Sequence, residues 1–401
     1  MAKALEGTVV LDFTTEFWAA LAAAFLGDFG ATVIRIENLP EARRRSPDRD
    51  GQHPPADWDY RSELIHRNKR SLGIDLEQER GREILREMVS RSDVFHTDLC
   101  LGELEEKGWD YASLSRIKPD LIYARGSGFG PRGPDRDLPP LDELAAARAG
   151  MMPILPQPDQ PPIYSDGGHA YTTAMLAFGV VTALLHRAAT GEGQEVDVSL
   201  FAGNLYGASL DLQAFLATGA ERYLQPISRL DAGNPMGGAI YPSQDGRWVT
   251  LTMPDTDRSW PGFSKLVGLD PDDPRFDSHE RRCGENRLVM IEVLEEAIGR
   301  QPGSHWKTLF DENQISADVI ETFSYPVNDE QVYRNHYILE LDHSSLGKIK
   351  SLGFPIYMSE SPAHLDRTAP CRGQHSAMIL HEVLGYDQDR IADLEAQGVI
   401  A

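Results

Sequence analysis

Short apolar runs alternate with longer amphipathic or alanine-rich segments along the first half of the chain. The apolar runs Val9–Phe13 and Thr32–Glu37 predict strands, and the alanine-rich segment Glu16–Asp28 between them predicts a helix that Gly30 closes. A strand, a helix and a strand at this spacing form a right-handed βαβ unit, the usual start of a parallel sheet. The pattern therefore predicts an α/β fold with a doubly wound parallel sheet.

The same alternation continues to residue 217. Further strands are predicted at Leu72–Leu76, Asp93–His96, Leu121–Ala124 and Glu195–Leu200. Further helices are predicted at Glu77–Arg91, Glu103–Ile117, Leu141–Met151 and Phe201–Ala217. The polar, proline-bearing stretch from Asn38 to Ile65 predicts a loop.

One predicted helix, Tyr171–Leu185, contains no charged residue and has no polar face. A helix that is apolar all round is usually packed on several sides. At about 15 residues it is too short to span a bilayer, which needs roughly 20. Asp166 and His169 stand where it begins. They are either an ordinary N-terminal capping sequence or a reactive site at the positive end of the helix dipole.

The pattern changes after residue 225. An Asp245-Gly246 turn within Ala239–Met253 predicts a hairpin, followed by predicted helices at Trp260–Val267, Glu285–Ile298 and Ser304–Glu312. Strand character returns at Leu346–Met358, and helices at His375–Leu384 and Asp387–Ala396 follow. We expect a large domain from residues 1–225 plus 326–401 and a small α+β domain from residues 226–325.

Composition narrows the function. The formal net charge of −23 disfavours nucleic acid and anionic membranes as partners. The three cysteines are far apart and the start lacks a signal-peptide pattern, so we expect a cytoplasmic protein. His96, His186, His336 and His375 show no metal-ligand spacing, and no metal is expected.

Two groups of residues are candidates for ligand binding. Arg43 and Arg44 lie in the polar loop, and Lys69 and Arg70 lie at the start of the following strand. These residues either bind a phosphorylated ligand or belong to a solvated surface. The glycine- and proline-rich segment 126–134, which includes Gly128 and Gly130, follows a predicted strand end, where open α/β sheets bind ligands. The turn after the first strand has no GxGxxG motif, so a dinucleotide site is not predicted.

The ordered motifs of the chain resemble the class III CoA-transferases, the family of formyl-CoA and carnitine CoA-transferases that also includes α-methylacyl-CoA racemase. The matching stretches are LGDFGATVIRIEN, RNKRSLGIDL, YARGSGFGPRGP, TGEGQEVDVSLF, AIYPSQDGRWVTL and GQHSAMILHEVLGY. The resemblance implies a Rossmann-like large domain made from both chain ends, a small domain between them, and an interlocked dimer. It also implies acyl-CoA and a small carboxylic acid as substrates.

The family's mechanism is covalent. The resemblance implies that an aspartate at the start of the central helix attacks acyl-CoA to form a mixed anhydride, and that glycine N–H groups, here Gly237 and Gly238, stabilise the oxyanion. In this chain the aspartate's position is His169, and the nearest carboxylate is Asp166. An imidazole does not substitute simply, because an acyl-imidazole hydrolyses readily.

Other polar positions of the family site also differ. Ala24 and Ala146 stand where the family commonly has glutamines, and the neutral run Leu99–Leu101 stands where a basic residue often follows the fourth strand. Retained architecture with a changed site favours a subunit of a heterodimer whose homologous partner carries the aspartate, as in the arylsuccinate CoA-transferases. One alternative is an active transferase that uses Asp166. The other is a racemase or isomerase, which Leu141-Asp142 disfavours because racemases place a histidine before that aspartate.

Overall fold

The computed structural model describes residues 3–40, 58–221, 224–226, 228–343 and 346–401. The chain divides into two compact units. The larger consists of Met1–Met152, Tyr164–Gly219 and Asn335–Ala401, and the smaller of Pro153–Ile163 and Ala220–Arg334. Each unit has a hydrophobic core of its own.

A six-stranded sheet, in the order β3-β2-β1-β4-β5-β6, forms the centre of the larger unit. Its strands are β1 Val9–Phe13, β2 Thr32–Asn38, β3 Lys69–Ile74, β4 Val94–Thr97, β5 Ile122–Ser127 and β6 Gln194–Ser199. Every neighbouring pair is parallel. This confirms the predicted α/β class with a parallel sheet. The strand order reverses between β1 and β4, the position where sheets of this kind leave a crevice for ligands.

The alanine-rich helix α1, Phe17–Asp28, explains the close packing on one face of the sheet. Ala19, Ala22 and Ala23 are buried and belong to the cluster that contains Trp18 and Val10. Small side chains let a helix approach its neighbours closely. Because most of α1 is buried in this way, it has no polar face.

Two helices predicted as continuous are each divided into two. Glu103–Ile117 becomes α4, Leu101–Lys107, and α5, Tyr111–Ile117. Gly108 adopts a left-handed φ of 67° that ends the first, and Asp110 caps the second by accepting the Ser113 N–H. The predicted helix Phe201–Ala217 becomes α8, Leu200–Gly207, and α9, Ser209–Thr218. The other helices of this region are α2 Tyr60–His66, α3 Glu79–Ser90 and α6 Asp142–Ala149.

The central helix α7 runs from Gly168 to Thr190 and has 23 residues. The predicted length of about 15 residues was therefore wrong, and α7 has the length and apolar composition of a membrane-crossing helix. Leu176, Val180 and Ala183 are buried in the same cluster as β1 and α1. Helix α7 contributes to the core of the larger unit through one face, and its other side chains lie outside that core.

The last part of the chain returns to the larger unit. Residues of α14, Ser376–Leu384, and α15, Gln388–Ala396, join the core on the other face of the sheet, and Ile400 forms a β-bridge with Ile74. The strands β10, Ile338–His343, and β11, Gly347–Leu352, form an antiparallel hairpin. The sequence predicted neither β10 nor α2, and the strand predicted to continue to Met358 ends at Leu352.

The smaller unit contains an antiparallel sheet in the order β7-β8-β9. Its strands are β7 Gly237–Pro242, β8 Trp248–Thr252 and β9 Ala317–Ile320, and its helices are α10 Thr256–Leu266, α11 Arg287–Ile298, α12 Gly303–Asn313 and α13 Glu330–Arg334. Aromatic side chains from α10 and α12, among them Trp260, Phe263, Trp306 and Phe310, fill its core.

Candidate active site

The beginning of α7 lies at the carboxyl end of the parallel sheet. Thr173 in its second turn donates a hydrogen bond from Oγ1 to the Trp18 carbonyl oxygen at 2.8 Å. Trp18 lies in the first turn of α1, which directly follows β1. Because ligands of open α/β sheets bind beyond the carboxyl ends of the strands, the side chains at this end of α7 are candidates for the reactive site.

Asp166 and His169 form a direct carboxylate–imidazole pair there. His169 Nδ1 lies 2.6 Å from Asp166 Oδ1. Asp166 has a φ of 54°, a left-handed conformation that few residues other than glycine adopt. The N-cap residue of α7 is Gly167, and no side chain caps the helix, so the interpretation of Asp166 as an ordinary cap is wrong.

Tyr164 connects this pair to a buried carboxylate. Its hydroxyl lies 2.8 Å from Asp142 Oδ2 and 2.9 Å from Asp166 Oδ1. Burial and the two carboxylates raise the pKa of Tyr164 far above its usual value, so the phenol keeps its single proton and donates it to one carboxylate at a time. Asp142 is held on its other oxygen by Asn204 Nδ2 at 2.7 Å. The result is a continuous polar network from Asn204 to His169.

Gly168 is required by the packing of this network. A Cβ at Gly168 would overlap both Asn204 Nδ2 and Asp142 Oδ1. The glycine therefore lets the first turn of α7 approach the α6–α8 pair closely enough to bring Asp142 near Asp166 and His169. The sequence showed the two glycines of DGGH but not which atoms they accommodate.

Asp142, Asp166 and His169 each offer one ligand atom, and these atoms lie within 4.8 Å of one another. Within the described part of the chain this is the one group with a spacing that suits a metal ion. The hydrogen bonds of Tyr164 and His169 to these carboxylates account for the same spacing. Since a carboxylate cluster alone does not define a metal site, we interpret the group as a proton-sharing network.

The glycine loop after β5 is tightly folded. Gly130 has a φ of 96°, and its N–H donates to Ser127 Oγ at 3.1 Å. A Cβ at Gly128 would lie 2.9 Å from the Pro139 carbonyl oxygen. Both glycines are thus required by the loop itself. Gly237 and Gly238 are the first residues of β7 in the smaller unit.

The predicted phosphate ligands have different environments. Lys69 is fully buried, and its Nζ lies 2.6 Å from Asp12 Oδ2 and 2.7 Å from the Ala20 carbonyl oxygen. In this conformation its ammonium group is not available to a ligand phosphate, because both contacts and burial enclose it. Arg70 pairs with Glu382 at 2.6 Å and lies near the amino end of β3, away from the beginning of α7. Arg43 and Arg44 lie outside the described residues.

Burial opposes charge on both members of the Lys69–Asp12 pair. It lowers the pKa of Lys69. Burial would also raise the pKa of Asp12, but Lys69, His96 and the Thr14 hydroxyl together outweigh burial and hold that pKa below its usual value. The neighbouring His96 is also enclosed, and burial lowers its pKa to about 4. Its imidazole is therefore neutral at physiological pH.

Asp98 was not predicted from the sequence. Its carboxylate accepts the Thr15 N–H at 2.8 Å and the Glu16 N–H at 2.6 Å, so it occupies the N-terminal end of α1 at the β1/β4 crevice. Burial raises the pKa of Asp98 to about 7, even though these backbone donors favour the charged form.

Three residues at positions where the resemblance implies other side chains do not offer exposed groups to a ligand. Ala24 and Ala146 are buried, and burial raises the pKa of the Cys100 thiol.

In sequence and in structure, the chain is similar to proteins of one family. A family model described as CoA-transferase family III matches residues 5–376. The chain is 29% identical to a succinyl-CoA–D-citramalate CoA-transferase of Chloroflexus aurantiacus, with 96% of each chain covered. It is 27% identical to an (R)-2-hydroxy-4-methylpentanoate CoA-transferase of Clostridioides difficile, with 99% of each covered. A crystal structure of a CAIB/BAIF family protein from Brucella suis superposes with a TM-score of 0.81 at 26% identity, covering 96% of this chain and 100% of that one.

Proposed function

The chain belongs to CoA-transferase family III, and from this premise we propose that it is a subunit of a heteromeric enzyme that moves CoA between an acyl-CoA and a small carboxylic acid. In this proposal a homologous subunit supplies the nucleophilic aspartate. The observation that supports this proposal is the hydrogen bonding of the Asp166 carboxylate. Its Oδ1 is the atom that both His169 Nδ1 and the Tyr164 hydroxyl contact.

Hydrogen bonds to a carboxylate withdraw electron density from its oxygens and make them weaker nucleophiles. The second oxygen of Asp166 belongs to the same delocalised group, so it is weakened as well. His169 stands where the resemblance puts the nucleophile, and an imidazole does not form a mixed anhydride. The site therefore fits a chain that binds acyl-CoA but leaves the transfer step to its partner.

An exposed apolar surface supports association with another chain. We call the outward face of α7 together with α8 and α9 the α7–α9 surface. Its large exposed side chains are Tyr171, Phe178, Val181, Leu185, Tyr206, Leu210 and Leu216. Phe178 is 72% exposed and Leu210 is 81% exposed, and α9 has no buried residue. Contiguous apolar surface of this kind usually marks an interface between proteins. We propose that a homologous chain covers it.

We propose that basic residues bind the phosphates of CoA. The candidates are Arg43, Arg44 and Arg70. Lys69 is not among them, because Asp12 and Ala20 already bind its ammonium group. Arg70 keeps a partly exposed side chain beside Glu382. Cys100, Cys283 and Cys371 are unpaired thiols, which agrees with a cytoplasmic enzyme.

An active homodimer that uses Asp166 is the second candidate. It is favoured by exposure, since the Asp166 side chain is 67% exposed and accessible to an acyl group. The two candidates predict different covalent chemistry. If Asp166 is the nucleophile, incubation with acyl-CoA followed by hydroxylamine will convert that residue to its hydroxamate.

The test is to produce the chain with and without an Asp-bearing homologue and to assay CoA transfer after size-exclusion chromatography. We expect transfer only from the mixed complex, and we expect Asp166→Ala to leave most of that activity. Full transfer activity from a homodimer of this chain alone, lost in Asp166→Ala, would overturn the subunit role and assign the nucleophile to Asp166.

A further inference from the structure

We propose that this chain's own site hydrolyses acyl-CoA thioesters, with His169 as the general base that activates water and Asp166 as the residue that positions it. The inference rests on the proposed function for one point only, that acyl-CoA reaches the beginning of α7. It goes beyond CoA transfer because water, and not a carboxylic acid, receives the acyl group.

The geometry of the pair is that of an oriented base. The 2.6 Å contact between Asp166 Oδ1 and His169 Nδ1 holds the ring proton on Nδ1 and leaves a lone pair on Nε2. Within the described residues no hydrogen bond engages Nε2, and the His169 side chain is 30% exposed. A carboxylate on one ring nitrogen and an accessible lone pair on the other is the arrangement by which hydrolases use histidine as a base.

The surroundings of Asp166 fix this orientation. Tyr164 contacts the same Oδ1 at 2.9 Å, and the buried Asp142 holds Tyr164 on its other side at 2.8 Å. Asn204 in turn holds Asp142. Each group restrains the next, so the imidazole is positioned by a network whose inner end is buried in the larger unit.

The first turn of α7 also provides donors. The first N–H groups of any helix lack intrahelical acceptors, and the beginning of α7 has no side-chain cap. These donors lie next to His169, at the positive end of the helix. They are suited to stabilise the negative oxygen that develops when a thioester carbonyl is attacked.

The proposed reaction is balanced without a further reactant. Nε2 of His169 takes a proton from water while the water oxygen forms a bond to the thioester carbon. The tetrahedral intermediate then expels the sulfur with its electron pair, and the imidazolium returns the proton to the CoA thiolate. One thioester and one water give one carboxylic acid and one free thiol.

The test uses the full chain with acetyl-CoA and benzoyl-CoA and no acceptor acid, and it measures the release of free thiol. We expect steady release from the unmutated chain and a loss of about 100-fold or more in His169→Ala, the usual contribution of a general base. His169→Gln gives the same expectation with less change in shape, in case His169→Ala is poorly folded. His186→Ala, on the far end of the same helix, is the matched control and should leave the rate unchanged.

Asp166 is tested as a positioning residue. Asp166→Asn should lower kcat with little change in KM, and it should remove the downfield proton resonance of a carboxylate-bound Nδ1–H. A single turnover in heavy-oxygen water should label the product acid and leave the enzyme unlabelled. Label found in Asp166, or thiol release unaffected by His169→Ala and His169→Gln, would overturn the inference, and so would the absence of release from the unmutated chain.

Failure of this inference and failure of the proposed function are distinguishable. Transfer activity in the mixed complex, measured in parallel, reports on the proposed function and does not require His169. A complex that transfers CoA while the chain releases no thiol would remove only the hydrolytic role.

Discussion

Both carboxylate oxygens of Asp98 accept the backbone N–H of Thr15, at 2.9 and 2.8 Å. A negative group is thus placed at the N-terminal end of α1, where the helix dipole favours it. Complete burial nevertheless opposes its charge and raises its pKa to about 7. These opposing effects make Asp98 a source of pH-dependent stability.

The first prediction concerns this pH dependence. The Asp98 pKa is higher in the folded state than its usual value of 3.8, so the folded state binds the proton more tightly than the unfolded state. The stability linked to this proton is fully present below about pH 4 and is lost as the pH rises to 7. Asp98→Asn keeps an acceptor for the backbone N–H groups without the charge. In urea unfolding we expect Asp98→Asn to match the unmutated chain at pH 4 and to be more stable by about 4 kcal/mol at pH 8. Asp389→Asn, at an exposed position, should show no such difference.

The second prediction concerns the close approach at the start of α7. Gly168→Ala introduces a methyl group that overlaps Asn204 Nδ2 and Asp142 Oδ1. We expect a loss of about 1–3 kcal/mol in the free energy of unfolding. Gly102→Ala in α4 is the matched control, because its added Cβ would have its nearest neighbour at 3.6 Å. That change should be neutral or slightly stabilising, and an equal loss in both variants would contradict the packing argument.

The third prediction concerns the buried pair of Lys69 and Asp12. Lys69→Met leaves the Asp12 carboxylate buried without its partner, and we expect a loss of about 3–5 kcal/mol in chemical unfolding. Adding Asp12→Leu should recover much of this loss, because the unpaired charge is then removed. Arg70→Met breaks a more exposed pair with Glu382 and should cost about 1 kcal/mol or less. If the double variant were less stable than Lys69→Met, the pair would not be the cause.

The fourth prediction concerns phosphate binding. We expect Arg70→Ala to weaken CoA binding about tenfold or more in calorimetry, since a hydrogen bond to a charged group contributes about 1.5–3 kcal/mol. The salt dependence of binding should decrease at the same time, because one cation no longer contributes. Arg390→Ala, on α15, is the control. Unchanged binding in Arg70→Ala would show that this residue is not a phosphate ligand.

The fifth prediction concerns the α7–α9 surface. Phe178→Arg places a charge in the centre of the exposed apolar face of α7. We expect it to weaken association with a second chain, seen as later elution in size-exclusion chromatography, with little effect on the helix content. Ser90→Arg adds the same charge on α3, away from the α7–α9 surface, and should leave the elution volume unchanged. Unaltered assembly of Phe178→Arg would mean that another surface forms the interface.

Local patterns predicted most of the regular structure and failed where the decisive contact is distant in the chain or where one backbone conformation decides the outcome. The six strands of the main sheet could be predicted because each is a short apolar or alternating segment bounded by helices or turn residues. The division of the segment 103–117 was missed because one residue, Gly108, adopts a left-handed conformation that composition alone does not reveal. The hairpin strand β10 was missed because it is half-exposed and its partner β11 follows only after a turn.

The site shows the same limit more clearly. Asp166 and His169 could be identified because they stand three residues apart before an apolar helix. Asp98 could not, because its donors Thr15 and Glu16 are more than 80 residues away in the chain. The length of α7 was underestimated because only the uncharged segment Tyr171–Leu185 was counted, whereas the helix runs from Gly168 to Thr190.

The β-bridge between Ile400 and Ile74 has a consequence for the order of events during synthesis. The sheet edge at β3 is completed by Ile400, which leaves the ribosome on the order of half a minute after β3 itself. Until then α14 and α15 are missing from the core, and the apolar side chains of β2 and β3 are covered only in part, by α3. The smaller unit is nearly continuous in sequence and is finished first. A nascent chain of this protein therefore carries a folded middle and an unfinished beginning, and ribosome-associated chaperones would meet it in that state.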